Sequence, residues 1–145
     1  MADHYEQFSE MIEELSLEAQ HWARYVLSLD GDEDRGELYK ELGITNDDFD
    51  VDCWPSFGHE LKDDNLWLFS EDSCNTNHVA FFVQALIKKF MPEYIFSLSS
   101  AGTCSKLRVG EFGGGWMVVT RDEIKGGNVW DAIEDAVAEI KEARK

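Results

Sequence analysis

The sequence predicts an α+β fold in which an antiparallel sheet carries helices on one face. Three observations lead there. Apolar residues recur with a helical period in segments near the start, the middle and the end of the chain. Between them the period drops to two, and turn residues bound each such run. The 145 residues are 43% hydrophobic and 12% aromatic, with five Trp and nine Phe, which is enough to build a core without disulfides or metals. That content excludes a disordered acidic chain, although the net charge is −17. We expect one domain, with residues 1–46 as an acidic helical N-terminal part and 47–145 as the α+β core.

In order, Tyr5, Phe8, Met11, Ile12 and Leu15 follow an i, i+3, i+4 pattern and read as a first helix. Ser16 caps a second helix carrying Leu17, Ala19, Trp22, Tyr25, Val26 and Leu27. Asp30-Gly-Asp-Glu-Asp-Arg-Gly36 is a charged loop, Glu37–Leu42 adds a helical turn, and Gly43 ends it. Phe49, Val51 and Cys53 then alternate with Asp48, Asp50 and Asp52, as in a half-buried strand that Pro55 interrupts. Phe57–Leu61 and Leu66–Ser70 read as a hairpin around the turn Lys62–Asn65.

Asn75 or Thr76 starts the next helix, whose apolar face is Val79, Phe82, Val83, Leu86, Ile87 and Phe90, with Pro92 just past its end. Tyr94–Ser99 is a strand, Ala101–Gly115 a glycine-containing connection, and Trp116–Thr120 another strand. Asn128 caps a last helix with the stripe Val129, Trp130, Ile133, Ala136, Val137 and Ile140, and with Lys141, Arg144 and Lys145 at its negative end. This order suits a ferredoxin-like core bearing an acidic helical appendage.

The stretch from Asn65 to Thr120 contains LWLFSED followed by NHVAFFVQALIKKFMPEYIFSLSSAGTCSKLRVGEFGGGWMVV. It resembles a group of small uncharacterised phage and plasmid proteins with a ferredoxin-like domain. In them a strand ends in a polar turn, an aromatic-rich helix closes on a Phe-x-Pro-like element, here Phe90-Met-Pro92, and two strands follow around a glycine-containing turn. The long basic loop Cys104–Gly115 departs from the pattern. The resemblance supplies no catalytic residues. It implies a phage or mobile-element accessory protein acting on host machinery.

The charge is segregated. From Met1 to Asn75 the chain has 21 acidic and 4 basic residues, and from Thr76 to Lys145 it has nine of each. One lobe is therefore strongly negative, which points to a positively charged partner. Direct binding to nucleic acid or to an anionic membrane is disfavoured. No apolar run reaches the ~18–20 residues that span a bilayer. The acidic, amphipathic start is unlike a signal peptide, and three widely spaced cysteines fit reduced thiols better than a disulfide framework. These features read as cytoplasmic.

The candidate partner-binding residues are Asp30, Asp32, Glu33 and Asp34 in the charged loop, Asp48, Asp50 and Asp52 on one strand face, and Asp63, Asp64, Glu71 and Asp72 around the hairpin. Carboxylates two apart on a strand lie ~6.6 Å apart. That is about two phosphate steps of one DNA strand, at roughly 3.4 Å each. Such a row imitates a phosphate backbone, whereas the plainer reading is a solvated face that discourages edge pairing. The loop at Asp30 fails as an EF-hand, because the required Gly falls at Arg35.

Cys53, His59, Cys74 and His78 lack zinc-site spacing. Cys74 and His78 also form a candidate nucleophile pair, but acidic surroundings oppose the thiolate and no third residue orients the imidazole. Gly110–Gly115 lacks the Lys and Ser/Thr of a phosphate loop and reads as a hairpin start or a close approach of backbones. Lys106 and Arg108 suit the protein's own acidic lobe or an anionic ligand equally. Trp54 and Trp116 read as core.

The sequence thus favours a non-enzymatic accessory protein without cofactor or metal. It would inhibit a basic, nucleic-acid-binding host defence protein by mimicking nucleic acid. The alternatives are a small Cys/His-dependent enzyme and an assembly module whose acidity serves solubility alone.

Overall fold

The structure, a computed structural model, describes residues 4–45, 49–110 and 112–145. Its elements are β1 (His4–Ile12), α1 (Leu17–Leu27), α2 (Arg35–Leu42), a 3-10 turn (Val51–Cys53), β2 (Gly58–Lys62), β3 (Asn65–Ser70), α3 (Thr76–Phe90), β4 (Phe96–Cys104), β5 (Gly113–Val119), β6 (Ile124–Asn128) and α4 (Val129–Ala143). The six strands form one sheet in the order β2-β3-β1-β4-β5-β6, with every neighbouring pair antiparallel.

The predicted hairpin is present as β2 and β3, in register from Gly58↔Phe69 to Lys62↔Asn65. The three predicted helix starts hold as well. The Ser16 hydroxyl accepts from the Ala19 N–H at 3.1 Å, and the Asn75 side-chain Oδ1 from the Asn77 N–H at 3.0 Å. The Asn128 side-chain Oδ1 accepts from the Asp131 N–H at 2.9 Å. Each satisfies a donor that the first helical turn leaves without a partner. Gly43 ends α2 at φ +68°, a left-handed conformation that glycine adopts without strain.

One face of the sheet carries the core. Ile12 pairs with Leu66, Phe96 with Val119 and Leu98 with Met117, and all six are buried. Val79, Phe82, Val83, Leu86 and Ile87 of α3 belong to the same cluster, together with Ala19, Ala23 and Val26 of α1 and Leu38 and Leu42 of α2. The opposite face presents Met11, Trp67, Phe69 and Trp116. Trp67 and Phe69 stack on each other with centroids 4.1 Å apart.

Several expectations need correction. Residues 4–12 are not a helix but a strand in the middle of the sheet, so the N-terminal segment is not a helical appendage. Phe8 and Ile12, four apart, share a face in a strand as well as in a helix, so their spacing could not discriminate. Tyr5 and Met11 do discriminate, and they lie on the other face from Phe8 and Ile12.

The alternating segment after Asp47 is not a strand. Asp50 sits at φ +54° and Val51–Cys53 is a 3-10 turn, so no row of carboxylates runs along a strand face. Asp48 lies outside the described residues.

The connection expected over 101–115 is mostly sheet, because β4 continues to Cys104 and β5 begins at Gly113. β6, in a stretch to which the sequence assigned no element, adds a sixth strand. Finally, the stripe on α4 is not core, since no residue of α4 is buried. Trp116 is not core either, because it stands on the face of β5 away from α3 and is 49% exposed.

Candidate functional site

Two acidic segments far apart in sequence are brought against each other by one glycine. A Cβ on Gly31 would stand 1.8 Å from the Val51 carbonyl oxygen and 3.3 Å from the Trp54 Cβ. Only a residue without a side chain admits this approach. It sets the loop bearing Asp30, Asp32, Glu33 and Asp34 beside the turn bearing Asp50 and Asp52.

The loop is internally braced. The Asp30 carboxylate accepts from the N–H groups of Asp32 and Glu33 at 2.8 and 2.9 Å, and Asp34 accepts from the Asp30 N–H at 2.8 Å. The donated hydrogen bonds from Glu33 and Asp32 hold the Asp30 carboxyl below the usual range.

His78 anchors the second segment. Its ring is fully buried on α3 and stacks on Phe49 with centroids 4.3 Å apart. Nδ1 accepts from the Ser56 N–H at 3.2 Å, which leaves the proton on Nε2. Nε2 lies 2.8 Å from the Phe49 carbonyl and 3.1 Å from that of Asp50. Burial pushes the imidazole below its ordinary range. The backbone of 49–50 is thus satisfied by a side chain rather than by a neighbouring strand, which is why the alternation in sequence produced no strand. Trp54 is core as expected, and its indole N–H donates to the Val26 carbonyl at 3.1 Å.

The remaining acidic candidates lie elsewhere. Asp63 and Asp64 form the β2–β3 turn, where the Asp64 carbonyl accepts from the Leu15 N–H just before α1. α1 then runs about 16 Å before the chain reaches Asp30. Glu71 and Asp72 follow the opposite end of β3, about 20 Å from Asp64 along the strand direction. Both separations exceed the screening length of about 8 Å at physiological salt. The described members of the predicted set therefore divide into the composite patch, the Asp63–Asp64 turn about 16 Å away along α1, and the Glu71–Asp72 pair at the far end of β3 from that turn.

Cys74 and His78 do not form a nucleophile pair. Both ring nitrogens of His78 are engaged by backbone groups. Burial, reinforced by the Glu6 charge, pushes the Cys74 thiol up to about 11. Burial and the Asp50 carboxylate raise Cys53 too. Among the described residues no group of three His, Cys, Asp or Glu side chains is placed to hold a metal ion. Lys106 and Arg108 are exposed on the β4–β5 loop.

Sequence reasoning missed a cleft of about 820 Å³ on the core side of β4, β5 and β6. Its floor includes Ser100, Gly102, Gly113, Gly115 and Gly126. These are positions that alternate with outward-facing residues, yet they carry almost no side chain. α3 covers only the apolar end of the same strands, at Phe96, Leu98, Met117 and Val119. Trp130 of α4 closes one side, with its indole nitrogen 2.8 Å from where a Gly113 Cβ would stand. Glu6 and Asp72 put carboxylates on another wall. The available signal was the small-residue alternation SSAG…GGG…GG, which has no meaning until the three strands are paired.

Comparison with protein-family models, curated proteins and solved structures finds no match to this chain. Among the described residues no helix is long and apolar enough to cross a membrane.

Proposed function

We propose that this is a non-enzymatic phage or mobile-element accessory protein that binds a basic, nucleic-acid-binding host protein through the composite acidic patch. Asp30, Asp32, Glu33, Asp34, Asp50 and Asp52 take the place of phosphates and compete for a cationic channel. The observation that carries the reading is the close approach at Gly31, which joins two acidic segments of an otherwise unrelated sequence into one surface. The braced loop and the His78 anchor favour a preorganised contact, which lowers the ordering cost of association. The charge partition between the two halves of the chain supports the same reading. We read the fold as an extended ferredoxin-like one. The run β1-α1/α2-β2-β3-α3-β4 with sheet order β4-β1-β3-β2 favours it, with β5, β6 and α4 as the extension.

The test is capture of host proteins from lysate with and without competing duplex DNA, followed by association kinetics in a salt series. Asp32→Lys combined with Asp52→Lys should slow association with the captured protein and flatten its salt dependence, since charge at a contact acts chiefly on the on-rate. Asp64→Lys, about 16 Å from the patch, should do little. Unaltered association and salt slope in the double variant would return the acidity to a solubility role.

The cleft supports a second reading, a binding site for an organic cation. Its volume matches small-ligand sites, Trp130 offers a ring face, and Glu6 and Asp72 supply negative charge. Gly126→Leu should fill the floor and abolish such binding in calorimetry while leaving the acidic patch intact.

A further inference from the structure

We infer that the protein is a twofold dimer in which β6 pairs with β6 and α4 packs antiparallel on α4 of a second copy. The inference starts from a helix whose apolar face is only half covered, with Trp130 against Gly113 of β5 and the rest open. Val129, Trp130, Ile133, Val137 and Ile140 recur at helical spacing along α4, and each is 44–53% exposed. No residue of α4 enters the core cluster. The strand before it, β6, is a sheet edge. One end of the molecule therefore presents both an open strand edge, which templates pairing with another chain, and an amphipathic helix beside it.

Three features select a second copy as the occupant. A twofold axis normal to the sheet at β6 joins the two edges antiparallel and keeps both helix layers on one face. It thereby brings α4 against its own copy in antiparallel orientation.

The charges of α4 fit that orientation. Its first half carries Asp131, Glu134 and Asp135 without a basic residue, and its end carries Lys141, Arg144 and Lys145 against Glu139 and Glu142, a net −3 against a net +1. With the crossing near Val137, Glu134 and Lys141, which flank the same side of the stripe seven residues apart, bring Glu134 opposite the partner's Lys141. A parallel arrangement would set the acidic halves together.

The third feature is the position of the acidic lobe. β2 and β3, from the acidic half of the chain, lie at the opposite side of the sheet, with β2 about 24 Å from β6. Association through β6 and α4 uses the half whose net charge is zero and holds the two negative lobes apart. Association through any face of the first half would bring like charges together.

Sedimentation equilibrium over a dilution series tests this on the full chain. The expected mass at the high end is twice 16.6 kDa, falling to the single-chain value on dilution. Ile133→Glu with Val137→Glu, each present twice in a twofold interface, should leave 16.6 kDa throughout, with an unchanged far-UV spectrum. Glu134→Lys and Lys141→Glu should each weaken the dimer about tenfold or more, because each sets like charges opposite one another. The two together should recover most of the loss. That recovery also stands in for the apolar variant should it fail to fold. A wild-type chain that is monomeric at every concentration overturns the inference. So does a dimer that survives the glutamate pair, an open series of larger masses, or a charge pair no better than either single change.

Discussion

Replacing His78 by Phe isolates the anchor beneath the acidic turn. Phenylalanine fills nearly the same space and keeps a ring against Phe49, so the change removes hydrogen bonds and little packing. In the native protein Nε2 serves the buried Phe49 carbonyl at 2.8 Å, and Nδ1 accepts from the half-buried Ser56 N–H at 3.2 Å. An unsatisfied buried acceptor costs about 1–3 kcal/mol, and a half-buried donor roughly 1 kcal/mol. The variant should therefore lose about 2–4 kcal/mol of unfolding free energy, a large share of the 5–15 kcal/mol typical of a domain.

Burial holds the native imidazole below its ordinary range, so the unfolded chain takes up a proton at a pH where the folded chain does not. Wild-type stability is then full above about pH 6.5 and falls below it, by at most about 1.4 kcal/mol per pH unit for this group. His59, also lowered by burial, is present in both proteins and cancels in the comparison. The gap between wild type and His78→Phe should thus narrow as the pH drops from neutrality toward 5.5. Urea unfolding at a series of pH values measures it. A variant within about 0.5 kcal/mol of wild type at neutral pH, half the roughly 1 kcal/mol scale of one hydrogen bond, or a gap that does not change with pH, would refute the assignment of His78 as a neutral backbone anchor.

Gly31→Ala should cost about 1–3 kcal/mol, because its Cβ meets the Val51 carbonyl rather than a side chain that can turn away. It should also weaken capture of the basic partner, as the two acidic segments move apart. Phe82→Ala, fully buried, should cost about 3–5 kcal/mol in urea. Ile133→Ala at concentrations where the chain is monomeric should cost under about 1 kcal/mol, and equal losses would show that α4 is core after all. Cys74 should alkylate about a hundredfold more slowly at pH 8 than a thiol of ordinary pKa near 9, since its own is pushed up to about 11. A normal rate would mean that the thiol is not desolvated.

The sequence by itself determined what local chemistry controls. Helix starts at Ser16, Asn75 and Asn128 depend on one side chain reaching a backbone N–H two or three residues on. The β2–β3 hairpin depends on two short runs and the turn between them. The buried face of α3 depends on unbroken helical periodicity. Each involves neighbours in the chain, so pattern sufficed. The tertiary structure decided wherever a segment's partner lies far away in sequence. Phe8 and Ile12 suit helix and strand alike, and β1 is a strand because β3 and β4 stand on either side of it. The alternating residues from Phe49 to Cys53 suit a strand, but His78, 28 residues beyond Asp50, takes the carbonyls a strand partner would need. The stripe on α4 is as regular as that on α3, yet only α3 meets the apolar end of β4 and β5. Periodicity states which face is apolar and not what covers it, because burial belongs to pairs of elements and not to either one.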